Sequence, residues 1–209
     1  VEVRVVADDE AGILRLEQAE LDVVGRLSRD KRWQHKTVTL FALADLQPLL
    51  RQLDALGRRP ADARLQRREE LLSRPVVNVY DLASPAACNV FVNRKAMAAA
   101  RYWEDALSIT GLLAHEHAHS LAECSHTAAL RRLRIDVQLR LHESWATDAV
   151  LAQNWMERSR QQIAGLASQL FVTGPREVFT NAIAVAEEFD GALYHLNRQN
   201  LNNLRLGLQ

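Results

Sequence analysis

The stretch GLLAHEHAHSLAEC, residues 111–124, puts three histidines and a glutamate into five consecutive positions. Its apolar and small residues, Leu112, Leu113, Ala114, Ala118 and Leu121, wrap the pattern at helical spacing. On a helix, positions four apart stack on one face with Cβ atoms about 5–6 Å from each other. His115 and His119 are such a pair, and Glu116 follows the first of them, giving His-Glu-x-x-His. Two imidazoles at that spacing reach one zinc ion at ligand distances of about 2.0–2.1 Å. Glu116 sits where its carboxylate meets a zinc-held water without ligating the metal. Zinc then lowers the pKa of that water toward about 7, and the glutamate takes its proton. A surface histidine patch would be flanked by charges. The apolar flanks therefore predict an interior helix, where two histidines need partners or a metal. His117 points to a different face and is expected to be a hydrogen-bonded or exposed side chain.

A catalytic zinc needs a third protein ligand and an open position. Glu123 continues the same stripe, but three ligands in one straight row surround an ion poorly. His126 misses the metzincin spacing, which would require glycine at Ala122 and histidine at Ser125. His142 and Glu143, neighbours in LHESWATDAVLA, can reach the metal if the next long helix returns antiparallel to the first. Either of the two remains open on spacing alone.

Upstream, VEVRVV (1–6) and KTVTLFA (36–42) read as strands around a helix over 9–28. Asp45 is expected to cap a helix that carries Pro48 in its first turn and stops near Gly57. Residues 57–75 hold six arginines against three acids, and predict a solvated helix over 62–73. VVNVY (76–80) and CNVFV (88–92) follow as two further strands, and Asn93 can cap what comes next. From there the pattern is helical over 94–101, 104–124, 132–158, 160–171 and 176–198, with TGP (173–175) as a break. The expected fold class is α+β and predominantly helical, a small sheet preceding the His-Glu-x-x-His helix and a helical body. Two parts are expected: residues 1–75, a possible regulatory or partner-binding region, and residues 76–209, the metal-bearing domain.

Composition narrows the classes. The 209 residues carry 26 basic and 26 acidic side chains, so no overall basic bias favours nucleic acid. Such a partner would need a local patch at Arg58, Arg59, Arg67 and Arg68, and is not expected. Cys88 and Cys124 make neither a disulfide framework nor a zinc-ribbon spacing, which points to the reducing cytoplasm. No stretch approaches the roughly 20 apolar residues of a membrane span, and no signal peptide is visible, so no membrane partner is expected. The opening on Val1, without an initiator methionine, is compatible with removal of an upstream segment.

The segments NVFVN (89–93), GLLAHEHAH (111–119) and ESWATDAVLA (143–152) together resemble gluzincin-type zinc metallopeptidases. The likeness is to compact cytosolic forms of the ImmA/IrrE type, and next to HtpX-like endopeptidases. It spans about residues 76–155 and implies a zincin or minigluzincin fold. In that family the third ligand is a glutamate on a helix after the zinc helix, in a motif E-x-x-A-(N/D)-x-x-A. Glu143 and Ala146 match it, Thr147 takes the Asn/Asp place and Asp148 comes one residue late. The resemblance thus implies a zinc endopeptidase with His115, His119 and Glu143 as ligands, and Glu116 as base and then proton donor. Its substrate would be a protein or peptide, a regulatory target if the ImmA/IrrE likeness holds, bound as an added strand on a sheet edge; CNVFV is either that edge or an interior strand. Asp148 is the candidate partner for a metal-bound histidine. Tyr194 and His195, or Tyr102, are candidate donors to the tetrahedral intermediate. Trp33, Trp103, Trp145 and Trp155 are read as core. Two other readings stand beside this one: a non-catalytic, zinc-stabilised interaction module, and a zincin working in a nucleic-acid context.

Overall fold

A computed structural model describes residues 1–8, 10–56, 68–81, 84–123, 162–163, 165–167 and 169–207. Strand β1 (Glu2–Ala7) leads through helix α1 (Glu10–Leu27) to β2 (Thr37–Leu43). Helix α2 (Gln47–Leu56) and a helical run at 68–73, α3, precede β3 (Val76–Tyr80) and β4 (Ala87–Asn93). Helices α4 (Arg94–Ala99) and α5 (106–123) follow. Beyond the undescribed middle, a π-helical turn (Gln169–Thr173) runs into α6 (Gly174–Ala186), and α7 (Asp190–Arg205) closes the described chain. The fold is α+β, as expected, with one small sheet and a helical body.

The sheet has the order β1-β2-β4-β3. The β1, β2 and β4 strands are parallel, and β3 pairs antiparallel with β4 in the register Val76↔Val92 to Tyr80↔Cys88. Alternation in β2 sends Val38, Leu40 and Ala42 to one face and Phe41 and Leu43 to the other. On the first face lie α1, through Leu16, Val23, Val24 and Leu27, and α5, through Ile109, Leu113, Ala114, Ala118 and Leu121. On the second, Leu46, Leu50 and Leu71 cover Val77 and Phe91, whose ring stacks on Phe41 at 5.4 Å.

Local signals place the caps. Asp45 Oδ1 accepts from the Gln47 N–H at 2.9 Å, and Asn93 Oδ1 from the Ala96 N–H at 3.1 Å. Trp33 and Trp103 pack against the larger core, as read from the sequence. Trp145, Trp155, Cys124, His126 and the helix expected over 132–158 lie outside the described residues.

Four expectations are corrected. CNVFV is an interior strand, and the strand at the end of the sheet is β3. The boundary drawn at residue 75 falls inside a single sheet, to which residues 1–75 contribute two of four strands. TGP is a junction rather than a gap: the π-helical turn passes directly into α6 there, with Pro175 in the first turn of α6. The helix expected over 176–198 is two helices, broken where Glu188 takes φ 64°. No helix-breaking residue marks that break. It turns Phe189 into the core under the Arg26 guanidinium, 4.9 Å from the ring centre.

Helices α5 and α7 touch at Gly111. A Cβ there would lie 2.8 Å from the Ala192 carbonyl oxygen, a backbone atom that cannot swing aside. Gly111→Ala is expected to lower stability by about 1–3 kcal/mol through overpacking, despite alanine's better helix propensity. Denaturant unfolding with an unchanged midpoint would contradict this.

Candidate metal centre

Helix α5 is buried along most of its length, with Leu113, Ala114 and Ala118 fully enclosed. It starts on Asp105, whose carboxylate accepts from the Leu107 and Ser108 N–H groups. Its second half carries His115, Glu116 and His119, whose potential ligand atoms lie within 4.8 Å of one another. The two rings sit edge to face with centroids 4.7 Å apart.

A third donor arrives from α6. Glu177 Oε2 lies 3.1 Å from His115 Nε2 and 3.7 Å from His119 Nε2. Two ligands on one tetrahedral ion, each bound at about 2.0–2.1 Å, stand about 3.3–3.5 Å apart. The spacing of Glu177 to both imidazoles therefore suits a shared ion. The same helix orients the rings. His115 Nδ1–H donates to Asn181 Oδ1 at 2.9 Å. His119 Nδ1–H donates to Thr180 Oγ1 at 3.1 Å, while the Thr180 hydroxyl donates to the Arg176 carbonyl at 2.9 Å. Both imidazoles thus turn Nε2 toward Glu177, the nitrogen left to bind a metal once it carries no proton. Positions 177, 180 and 181 are i, i+3 and i+4, so one face of α6 supplies the carboxylate and both orienting groups.

The electrostatics fit a cation. Burial opposes the charged form of His115, but Glu177 and Asn181 outweigh it and hold its pKa above the ordinary value. Burial, with the positive charge of His115 and Arg176, pushes His119 down to about 3. The hydrogen bond from His115 keeps Glu177 ionised below the usual range. Below its raised pKa, His115 carries a proton on Nε2 when no metal is bound. That proton must leave before Nε2 can bind an ion, so metal affinity falls as pH drops below the raised pKa of His115. Metal titrations below the raised pKa of His115 are expected to show a Kd that rises tenfold per unit of acidification. A hundredfold rise would mean that His119 also has a proton to lose. Removing one orienting group, as in Asn181→Ala, is expected to weaken metal binding about 10–100-fold while the fold holds. Unchanged affinity in a competitive chelator titration would show that Asn181 does not set the ring.

Glu116 points beside the cluster toward β3, and its Oε2 accepts from the Asn78 backbone N–H at 3.2 Å. Burial raises its pKa, so it holds a proton more readily than an exposed glutamate does. A cavity of about 330 Å³ opens here, with Asn78, Tyr80, Glu116, His119, Arg176 and Glu177 in its wall. At its rim Arg176 pairs with Glu123 at 2.8 Å. Burial first, and then the Glu123 carboxylate that accepts its hydrogen bond, push the Tyr80 hydroxyl up, so it remains a donor at neutral pH.

The structure brings together His115, Glu116 and His119, and adds Glu177, Thr180, Asn181 and Tyr80, none of which was singled out from the sequence. Glu143, His142 and Asp148 lie outside the described residues. Tyr194 and His195 are not in the cavity wall. The Tyr194 side chain is 71% exposed on α7, and His195 Nε2 bonds to Asp105 Oδ2 at 2.5 Å, at the far end of α5. Ten residues of helix separate Asp105 from His115, about 15 Å. Tyr102 is buried and bonded to Asn200, and it too stands outside the cavity wall. Arg68, from the arginine-rich stretch, bonds to Gln47, while Arg58, Arg59 and Arg67 lie outside the described residues. His117 is hydrogen-bonded, as expected of it, and is fully buried. No protein-family model, curated protein or solved structure matches this chain.

Proposed function

We propose that the chain is a zinc-dependent endopeptidase of gluzincin type, in which His115, His119 and Glu177 hold the metal. One observation carries the reading: a carboxylate from a second helix meets both imidazoles, and that same helix fixes their tautomers. The family motif E-x-x-A-(N/D)-x-x-A recurs on α6 as Glu177, Thr180, Asn181 and Ala184, with threonine in the first alanine place. That copy has Asn181 in the Asn/Asp position, which the copy at Glu143 lacks. A zinc ion bound there would polarise a peptide carbonyl and lower the pKa of a water toward about 7.

The chain's own residues supply the rest. Glu116, held by the Asn78 N–H and biased by burial toward taking a proton, accepts one from the attacking water. It then passes that proton to the departing amine as the C–N bond breaks. The Tyr80 hydroxyl, in the cavity wall, would donate to the oxyanion of the tetrahedral intermediate by turning its one hydrogen away from the Glu123 carboxylate. Strand β3, at the end of the sheet beside Glu116, is the edge on which an extended protein or peptide substrate would lie. Alternation along β3 turns the backbone groups of Val76 and Tyr80 to the same side as those of Asn78.

A cytoplasmic setting is part of the proposal. Cys88 is a buried free thiol, and no helix among the described residues is long and apolar enough to cross a membrane. A regulatory role for residues 1–75 alone is not proposed, since they build β1, β2 and α1 of the core. The deciding experiment compares Glu116→Gln with wild type for zinc content and for hydrolysis of an unfolded protein such as casein. Retained zinc with lost hydrolysis supports an enzyme. Equal hydrolysis overturns the reading, and a wild type that binds zinc without hydrolysing returns the site to a structural module.

A further inference from the structure

His117 stands between the two metal-binding histidines, where the helix faces the core rather than the cavity. Its neighbours along α5, Leu113, Ala114, Ala118 and Leu121, are all apolar and buried. A leucine would fill that place at little cost. Instead His117 Nε2 bonds to Glu20 Oε1 of α1 at 2.6 Å, and both side chains are 0% exposed. The second Glu20 oxygen has no hydrogen-bond partner among the described residues. Withdrawing ionisable groups from water costs several kcal/mol per charge, and a well-packed apolar pair in their place is often neutral or stabilising. Stability alone does not account for the couple.

What the couple holds is Asn78. The Asn78 side-chain amide meets His117 Nδ1 at 3.3 Å and donates to the Glu116 carbonyl at 3.4 Å, and its backbone N–H donates to Glu116 Oε2 at 3.2 Å. Asn78 is thereby tied three times to α5, at the residue that carries the catalytic carboxylate and at the residue after it. Glu20 Oε1 accepts from His117 Nε2, and the other ring nitrogen, Nδ1, faces the Asn78 amide. Helix α1 itself is anchored through Leu16, Val23, Val24 and Leu27.

We propose that Glu20, His117 and Asn78 form a buried positioning chain that sets strand β3 and the Glu116 carboxylate against each other. The metal ligands do not take part in it. The inference rests on Glu116 as the base of the proposed reaction. It makes α1, in the part of the chain that carries no recognised motif, a support of the active centre.

The test replaces the couple with apolar residues of similar size, Glu20→Met with His117→Leu, and reads amide hydrogen exchange by NMR in the metal-free protein. Exchange of the Asn78 N–H is expected to speed up at least tenfold, while Val90 and Val92 in β4 keep their protection. In the zinc-loaded protein, kcat on casein is expected to fall about tenfold with KM unchanged. Asn78→Ala cuts the same chain at its other end and leaves Glu20 and His117 paired, so it serves if the double variant does not fold. It should give the same selective loss of protection at position 78. Unchanged exchange at residue 78 in a folded variant overturns the proposal. So does a uniform loss across β3 and β4, which would mark ordinary destabilisation. If Glu116→Gln hydrolyses as wild type does, the hydrolytic reading fails, but the exchange measurement still decides the positioning role.

Discussion

Glu116→Gln is expected to lower hydrolysis by about 10²–10⁴-fold, the usual loss when a positioned general base is removed, while zinc stays bound. The substitution keeps the shape of the side chain, and the Gln oxygen can still accept from the Asn78 N–H. None of the three proposed ligands changes. The variant should also not be less stable than wild type in the metal-free form at pH 7. Burial raises the pKa of Glu116, and an acid with a raised folded-state pKa contributes stability that is lost as pH rises through that value. At neutral pH its ionised form is a burden on the fold, and glutamine removes it. Lost hydrolysis with a lowered Tm and lost zinc would instead point to collapse of the site. Intact hydrolysis would remove Glu116 from the chemistry.

Glu177→Ala carries the other large effect. Its carboxylate is the one described group that reaches both imidazoles from outside α5, and it is also what keeps the proton on His115. Zinc affinity is expected to fall by two orders of magnitude or more, since a ligand should matter beyond the 10–100-fold that groups around the ligands contribute. In the metal-free variant the His115 pKa should drop, because burial then acts with only Asn181 and Glu116 to oppose it. Chelator competition measures the first and NMR titration of the imidazole the second. The decisive contrast is with Glu143→Ala. If that variant loses zinc while Glu177→Ala keeps it, the ligand assignment reverts to the helix expected after α5.

Strands β1 to β4, helix α1, the caps at Asp45 and Asn93, and the His-Glu-x-x-His helix could all be read from the sequence. Each depends on residues within about one turn or one strand of its neighbours, where periodicity, β-branching and a capping oxygen act directly. Glu177 was legible in principle, because Glu177, Asn181 and Ala184 keep the E-x-x-A-(N/D)-x-x-A spacing, with Thr180 in the first alanine place. The copy at Glu143 stands nearer along the chain, and nearness along the chain is no measure of nearness in space.

Periodicity carries no information on which helix face meets which. The convergence of Glu177 with His115 and His119 comes from packing α6 against α5 across some sixty residues of chain. The placing of β3 rather than β4 at the end of the sheet, the break at Glu188 that sends Phe189 inward, and the joining of Glu20 to His117 are likewise long-range. The residues of the His-Glu-x-x-His helix state what chemistry is available to the candidate site. Which carboxylate completes the site, and which strand edge faces it, follows from how the whole core buries its apolar surface.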